Sequence, residues 1–365
     1  MNVKVRSRVR GAIVGTAIGD SLGMPIEGWS SEKIAETFGT VKSLVNPKPG
    51  SFAQQTHKLR RGQWTDDTQL MLAVGESFVS KKSLDYDDIA KRHALCMNDP
   101  RGWGKSTLVG VGRIKSGVSW WNSAAIDGAG NGTPMKIAPI GVLLALKRLS
   151  VFEARTAIIN ISRMTHGDLR PAIAGIIQAN AVSQAITCGV NGLCGSILSS
   201  PFLAEMLENS LDEPHDIFYA SLSRALTKAI NMVQSGDSLS NIRKEIGAQS
   251  FVVESFPLTF AAVLKLCNNP EECLIDLANQ GGDADTTCAM AGALIGAAYG
   301  LSAFPKRWRE PLEGYSRLIS MADGLYGLEK PVDGSWQCPR ISFGHKPGQS
   351  NTQSSIFGGK DGNSP

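Results

Sequence analysis

The sequence predicts an all-α fold, a single large and compact multi-helix domain. Apolar residues recur at three- and four-residue spacing in segment after segment. Runs of alternating β-branched residues are nearly absent, with "SFVVES" and "VKSLVN" the only weak strand candidates. No internal repeat or linker divides the chain, so its 365 residues, 42% of them hydrophobic, can bury one large core. The domain is expected over residues 1–343, with a polar Gly- and Ser-rich tail over 344–365 that reads as disordered.

The N-terminus, "MNVKVRSRVR" followed by "GAIVGTAIG", imitates a signal peptide. Asp20 cuts the apolar run short, however, and no clean small-residue cleavage site follows, so the segment is read as a helix. Gly11, Gly15 and Gly19 lie four apart and would let another helix approach closely. Helices follow at "TQLMLAVGESFV", "LDYDDIAKRHALCMN", "APIGVLLALKRLS" and "VFEARTAIINISRM". The same reading covers "PAIAGIIQANAVSQAI", "IFYASLSRALTKAINMVQ", "FPLTFAAVLKLC" and "EECLIDLANQ". The last, "CAMAGALIGAAYG", falls short of the roughly 20 apolar residues of a membrane span and is read as a buried central helix. Between the helices, "NPKPGSFAQQTHKLRRGQ", "NDPRGWGKST" and "NSAAIDGAGNGTPMK" are long loops, where function tends to sit.

Composition excludes some classes. The formal charge is only +4 and the basic residues are scattered, so no nucleic-acid or membrane partner is expected. The seven cysteines include no CxxC pair and are read as buried, reduced thiols of a cytoplasmic protein. Nothing fixes the oligomeric state, and a monomer is the default expectation.

Two stretches carry the chemistry. In "GQWTDDTQLML", Thr65, Asp66, Asp67 and Thr68 crowd oxygens where an apolar run begins; "NQGGDADTT" repeats this with Asp283, Asp285, Thr286 and Thr287. Each alone is good helix-start chemistry, with Thr65 capping one helix and Asp283 or Asp285 the other. Brought together, four carboxylates would repel unless a cation neutralised them. Oxygen-only donors suit hard cations, Mg²⁺ or Mn²⁺, and such sites commonly hold two ions about 3.5–4 Å apart. The expectation is a two-cation site where helix N-termini converge.

With these motifs in view, the chain resembles the ADP-ribosylglycohydrolases. The landmarks "GAIVGTAIGDSLGMPIE", "GQWTDDTQ", "RGWGKST", "GNGTPMKIAPIG", "SRMTHGD" and "NQGGDADTTCAMAGALIGAAYG" stand in family order from about Arg10 to Tyr326. The resemblance implies a hydrolase that cleaves ADP-ribose from a protein side chain, arginine favoured and serine allowed, or from another ADP-ribose conjugate. It implies cation ligands at Thr65, Asp66, Asp67, Asp283, Asp285 and Thr286, with Asp285 bridging. Glu27, Asp66 and Asp283 become the acid/base candidates. It further implies that Gly102, Trp103, Gly104, Gly130, Asn131, Gly132 and His166 face the ADP-ribose. The spacing separately excludes a Walker A loop in "RGWGKST", because Asp99 stands where its first glycine is needed. The rival readings are a structural protein and a non-catalytic ADP-ribose-binding or immunity-type protein on the same scaffold.

Overall fold

The computed structural model describes residues 3–56, 58–210 and 221–329. The predicted tail over 344–365 lies outside them, as do residues 330–343 of the expected domain. The N-terminal part forms α1 (Val3–Gly23), α2 (Ser31–Phe38), α3 (Phe52–Thr56), α4 (Asp66–Lys81), α5 (Tyr86–Cys96) and α6 (Lys105–Lys115). The middle forms α7 (Ala138–Ala145), α8 (Val151–Arg163), α9 (Arg170–Cys188), α10 (Val190–Leu198) and α11 (Ser200–Ser210). After the undescribed residues come α12 (Leu222–Gln234), α13 (Leu239–Ile246), α14 (Val252–Leu266) and α15 (Pro270–Asn279). The described chain finishes with α16 (Ala284–Tyr299), α17 (Lys306–Arg309) and α18 (Tyr315–Gly327).

Every predicted helical segment contributes a helix, although residues 217–220 of "IFYASLSRALTKAINMVQ" lie outside the described residues, and among the described residues β pairing is limited to isolated bridges. Neither strand candidate forms a strand. "SFVVES" runs into α14, and "VKSLVN" finds a side chain instead of a partner strand. Asn279 there accepts from the Val41 N–H at 2.9 Å and donates to its carbonyl at 3.0 Å. The helices not anticipated, α2, α3, α6, α10, α11, α13, α17 and α18, are mostly short or interrupted by Gly and Ser, so periodicity marks them weakly.

The α1–α16 pair is the axis of the core. A Cβ on Gly11, Gly15, Gly19 or Gly23 would sit 2.2, 2.2, 1.9 or 2.2 Å from the carbonyl oxygens of Gly296, Gly292, Cys288 and Ala284 respectively. The partners descend as the α1 numbers rise, so the helices run antiparallel with their backbones in contact. This geometry brings the C-terminal end of α1 to the N-terminal end of α16. At the other end, Asp323 on α18 accepts from both Arg6 and Arg10 of α1.

No helix of the described residues is long and apolar enough to cross a membrane. The cysteine expectation needs correction. Cys273 and Cys288 are buried, but Cys96, Cys194 and Cys267 are half-buried and Cys188 is exposed. Cys338 lies outside the described residues. The surface thiols sit on helix faces and ends that the apolar spacing does not resolve.

Candidate functional site

The start of α4 is capped from another helix. Asp20, buried on α1, accepts from the backbone N–H of Thr65 at 2.8 Å and of Thr68 at 3.1 Å. It also accepts from their hydroxyls at 3.0 and 2.6 Å. Thr65 itself makes no side-chain cap bond, contrary to the local reading. The two carboxylates of the first turn are therefore not needed for capping. The sequence marks Asp20 only as the carboxylate that ends a Gly-, Ala- and Ile-rich run, and its capping role emerges from the structure alone.

The start of α16 is held by backbone rungs. Gly28 N–H donates to the Gly282 carbonyl at 2.8 Å, Gly282 N–H to the Trp29 carbonyl at 2.8 Å, and Asp283 N–H to the Ala248 carbonyl at 2.7 Å. Gly281 and Gly282 take positive φ, 69° and 70°, to make this turn. Neither expected cap is observed, because Asp283 stands at the N-cap without a side-chain cap bond. Its carboxylate instead accepts from the Asn131 amide at 2.6 Å, while the other Asn131 hydrogen goes to Ser255 Oγ at 3.0 Å.

The rungs bring Glu27, just past α1, against this start. One carboxylate oxygen each of Glu27, Asp283 and Asp285 lies within 4.8 Å of the others. The two helix starts also touch. Thr65 Oγ1 is 3.3 Å from Asp285 Oδ2 and 3.2 Å from Asp67 Oδ2, and Thr286 Oγ1 is 3.3 Å from Asp67 Oδ2. Thr65 has one hydroxyl hydrogen but meets carboxylate oxygens of Asp20, Asp67 and Asp285, so it cannot satisfy them all. Glu27 Oε2, Asp67 Oδ1 and Asp285 Oδ1 are buried without a hydrogen-bond partner. Burial, reinforced by mutual repulsion, pushes Glu27, Asp66, Asp67 and Asp285 well above the ordinary carboxylate range. Burial also raises Asp283, opposed by the Asn131 hydrogen bond, and raises Asp20 to about 6 against its four Thr bonds. Crowded oxygens lacking hydrogens are the donor set that hard divalent cations fit.

Beside the cluster opens a cavity of about 450 Å³, within the range of small-molecule sites. Its wall includes Glu27, Asp66, Asp283, Asp285 and Thr286, together with Gly102, Trp103, Gly104, Gly130, Asn131, Gly132 and His166. Thr65 and Asp67 are buried and do not line it, so they support the cluster from behind. Trp103 is anchored by its indole N–H, which donates to Gln69 Oε1 at 2.8 Å. Asn131 reaches the cavity wall with both amide hydrogens already used inside the protein, so its part includes holding Asp283. His166 packs against the glycine loop: a Cβ on Gly132 would lie 2.5 Å from its Cε1. The sequence reading missed Phe52, Asp127, Ser250 and Phe251, which also line the cavity. The last two sit in the segment taken for a strand, and no motif marks them.

Comparison with known proteins identifies the family of the chain. The profile of the family described as ADP-ribosylglycohydrolase matches residues 1–334. An uncharacterised protein of Archaeoglobus fulgidus is 31% identical, covering 90% of this chain and 99% of its own length. An ADP-ribosylarginine hydrolase of Pseudomonas putida is 25% identical, over 89% of this chain and 80% of its own. A solved structure titled as an ADP-ribosylglycohydrolase-related protein complex superposes with a TM-score of 0.63 at 26% identity, covering 88% of this chain and 98% of that one. With its motifs gathered at one cavity and its length matched almost throughout, this chain belongs to the ADP-ribosylglycohydrolase family, whose activity is hydrolysis of ADP-ribose linkages.

Proposed function

We propose that the protein is a divalent-cation-dependent hydrolase of the glycosidic bond between ADP-ribose and a protein side chain, with arginine preferred over serine. The observation that carries this reading is the meeting of two acid-rich helix starts and Glu27 at the wall of one cavity. The arginine preference draws support from the relative named as an ADP-ribosylarginine hydrolase. The substrate is an ADP-ribosylated protein or a smaller ADP-ribose conjugate, met in the cytoplasm by a monomer.

Thr65, Asp66, Asp67, Asp283, Asp285 and Thr286 would hold two cations, Mg²⁺ or Mn²⁺. Bound there, the ions would supply positive charge to grip the vicinal hydroxyls of the distal ribose and to polarise a water. The chain's own groups do the rest. Gly102, Gly104, Gly130 and Gly132 allow the diphosphate to approach the backbone closely, and Trp103 packs against the ligand. His166 faces the diphosphate.

Cleavage breaks the bond from the anomeric carbon to the side-chain nitrogen or oxygen and joins water oxygen to that carbon. One proton must reach the leaving group and one must leave the water. Of the five carboxyls at the wall, Asp127 and Asp285 among them, Glu27, Asp66 and Asp283 are the acid/base candidates that would exchange them. Of the three, Glu27 keeps one buried oxygen without a hydrogen-bond partner, where a proton can be held.

The test is release of ADP-ribose from arginine-linked and serine-linked substrates with Mg²⁺, Mn²⁺ or chelator. Cation-dependent release that favours the arginine substrate and disappears in Asp285→Asn is the expected result. ADP-ribose binding without release from either substrate would instead establish a non-catalytic binding protein.

A further inference from the structure

Lys136 is fully buried next to the site, yet neither the acid/base chemistry nor the cation ligands use it. It ends the 3₁₀ turn Pro134–Lys136, directly after the Gly130–Gly132 loop. Its Nζ donates to Thr165 Oγ1 at 3.3 Å, and Thr165 Oγ1 lies 2.7 Å from His166 Nδ1. His166 is buried and its backbone N–H donates to the Ser162 carbonyl at 2.8 Å. The Thr165 contact holds the ring, and that neighbour decides where its proton sits.

The hydrogens can be followed one by one. A lysine ammonium only donates, so Thr165 Oγ1 is the acceptor in the first contact. Thr165 then has one hydrogen to give. The Ser162 carbonyl at 3.4 Å is a poor recipient, and His166 Nδ1 is much closer. Nδ1 thus accepts, which leaves the hydrogen of the neutral ring on Nε2. That edge faces the glycine loop: a Cβ on Gly130 or Gly132 would lie 3.4 or 3.1 Å from Nε2. Burial and the nearby Lys136 charge depress the imidazole to about 3, so the ring is neutral at working pH and its tautomer matters.

We infer that Lys136, acting through Thr165, is a positioning residue that locks His166 as the Nε2–H tautomer and turns its donor edge to an anionic oxygen of the bound ligand. The inference deepens the proposed function and rests on it for the ligand's identity, a diphosphate. The opposite tautomer would present a lone pair to the same oxygen and repel it.

Imidazole ¹⁵N spectra of histidine-labelled protein, recorded without ligand, read the tautomer directly. Wild type and Thr165→Ser should show His166 with its hydrogen on Nε2 alone. Lys136→Met and Thr165→Val, both close in shape to the native residues, should show a mixture. ADP-ribose, titrated calorimetrically, should bind about tenfold more weakly to Thr165→Val, the loss of one well-made hydrogen bond, with Thr165→Ser restoring it. A wild-type Nδ1–H ring, or an unmixed Nε2–H ring in both Lys136→Met and Thr165→Val, would overturn the relay. A mixed tautomer with unchanged ADP-ribose affinity would overturn its role in binding. Failure of ADP-ribose to bind wild type at all would sink the functional reading while the ligand-free spectra still judged the relay.

Discussion

At the start of α4 the backbone N–H groups are satisfied by Asp20, a carboxylate on another helix; at the start of α16 no side chain caps, and backbone rungs to Trp29, Gly28 and Ala248 hold the turn. Both starts present two aspartates and a threonine to the same point. The first therefore depends on a buried charge and the second on glycine geometry. Similar local sequences reach one site through different tertiary supports, so the two should fail in different ways. The α1–α16 seam underlies both, because Asp20 sits on one of its helices and Asp283 and Asp285 begin the other.

The largest effect is expected where the two supports share a foundation. Gly15→Val or Gly292→Val would force a side chain into a backbone carbonyl and should cost about 3 kcal/mol or more, read as a lowered denaturant midpoint. A variant as stable as wild type would show that the seam can spread and that the starts are held independently.

Next, Asp285→Asn should lower cation-dependent ADP-ribose release at least about 100-fold, with the folded state retained. Equal activity in the variant would remove the α16 start from the chemistry. Its support gives a gentler test. Asn131→Ala frees the Asp283 carboxylate and should reduce the rate about tenfold, as expected when a neighbour that orients a ligand is removed.

The cluster as a whole should respond to pH and cation together. Its carboxyls have folded-state proton affinities raised above their unfolded values. Without cation, stability present at low pH is thus lost as pH rises and the carboxylates ionise together. Mg²⁺ or Mn²⁺ should recover that loss, so the rise in Tm on adding cation should be larger at pH 8 than at pH 5. A rise independent of pH would place cation binding elsewhere.

The smallest effect is assigned to the α4 cap. Asp20→Asn leaves the Thr68 N–H and hydroxyl facing an amide in place of a carboxylate oxygen, and should cost about 1 kcal/mol. An unchanged unfolding midpoint would mean that the relief of repulsion offsets the lost cap.

Much of the fold and half of the logic of the site were legible in the sequence. Helical spacing marks the long helices, and Gly11, Gly15 and Gly19 announce a close partner before that partner is known. The oxygen-rich runs at Thr65–Thr68 and Asp283–Thr287 are visible because a first turn full of carboxylates is a local property. Short helices such as α10, α11 and α13 are less legible because few turns carry little periodicity. The placement of Phe251 on the cavity wall is not legible either, since a half-buried aromatic beside β-branched residues suits a strand as well as a helix start.

What the sequence determined alone is what depends on neighbours along the chain: helix identity, the absence of strand patterning and the donor chemistry of each acid-rich turn. What only the tertiary structure decided depends on distances between residues far apart in number. These are the antiparallel α1–α16 contact that carries Glu27 to Asp285, the capping of α4 by Asp20, and the burial of Lys136 behind His166. The physical reason is that a hydrogen bond or a repulsion between two charges is set by their separation in space, and chain spacing specifies that only within a turn or two of helix.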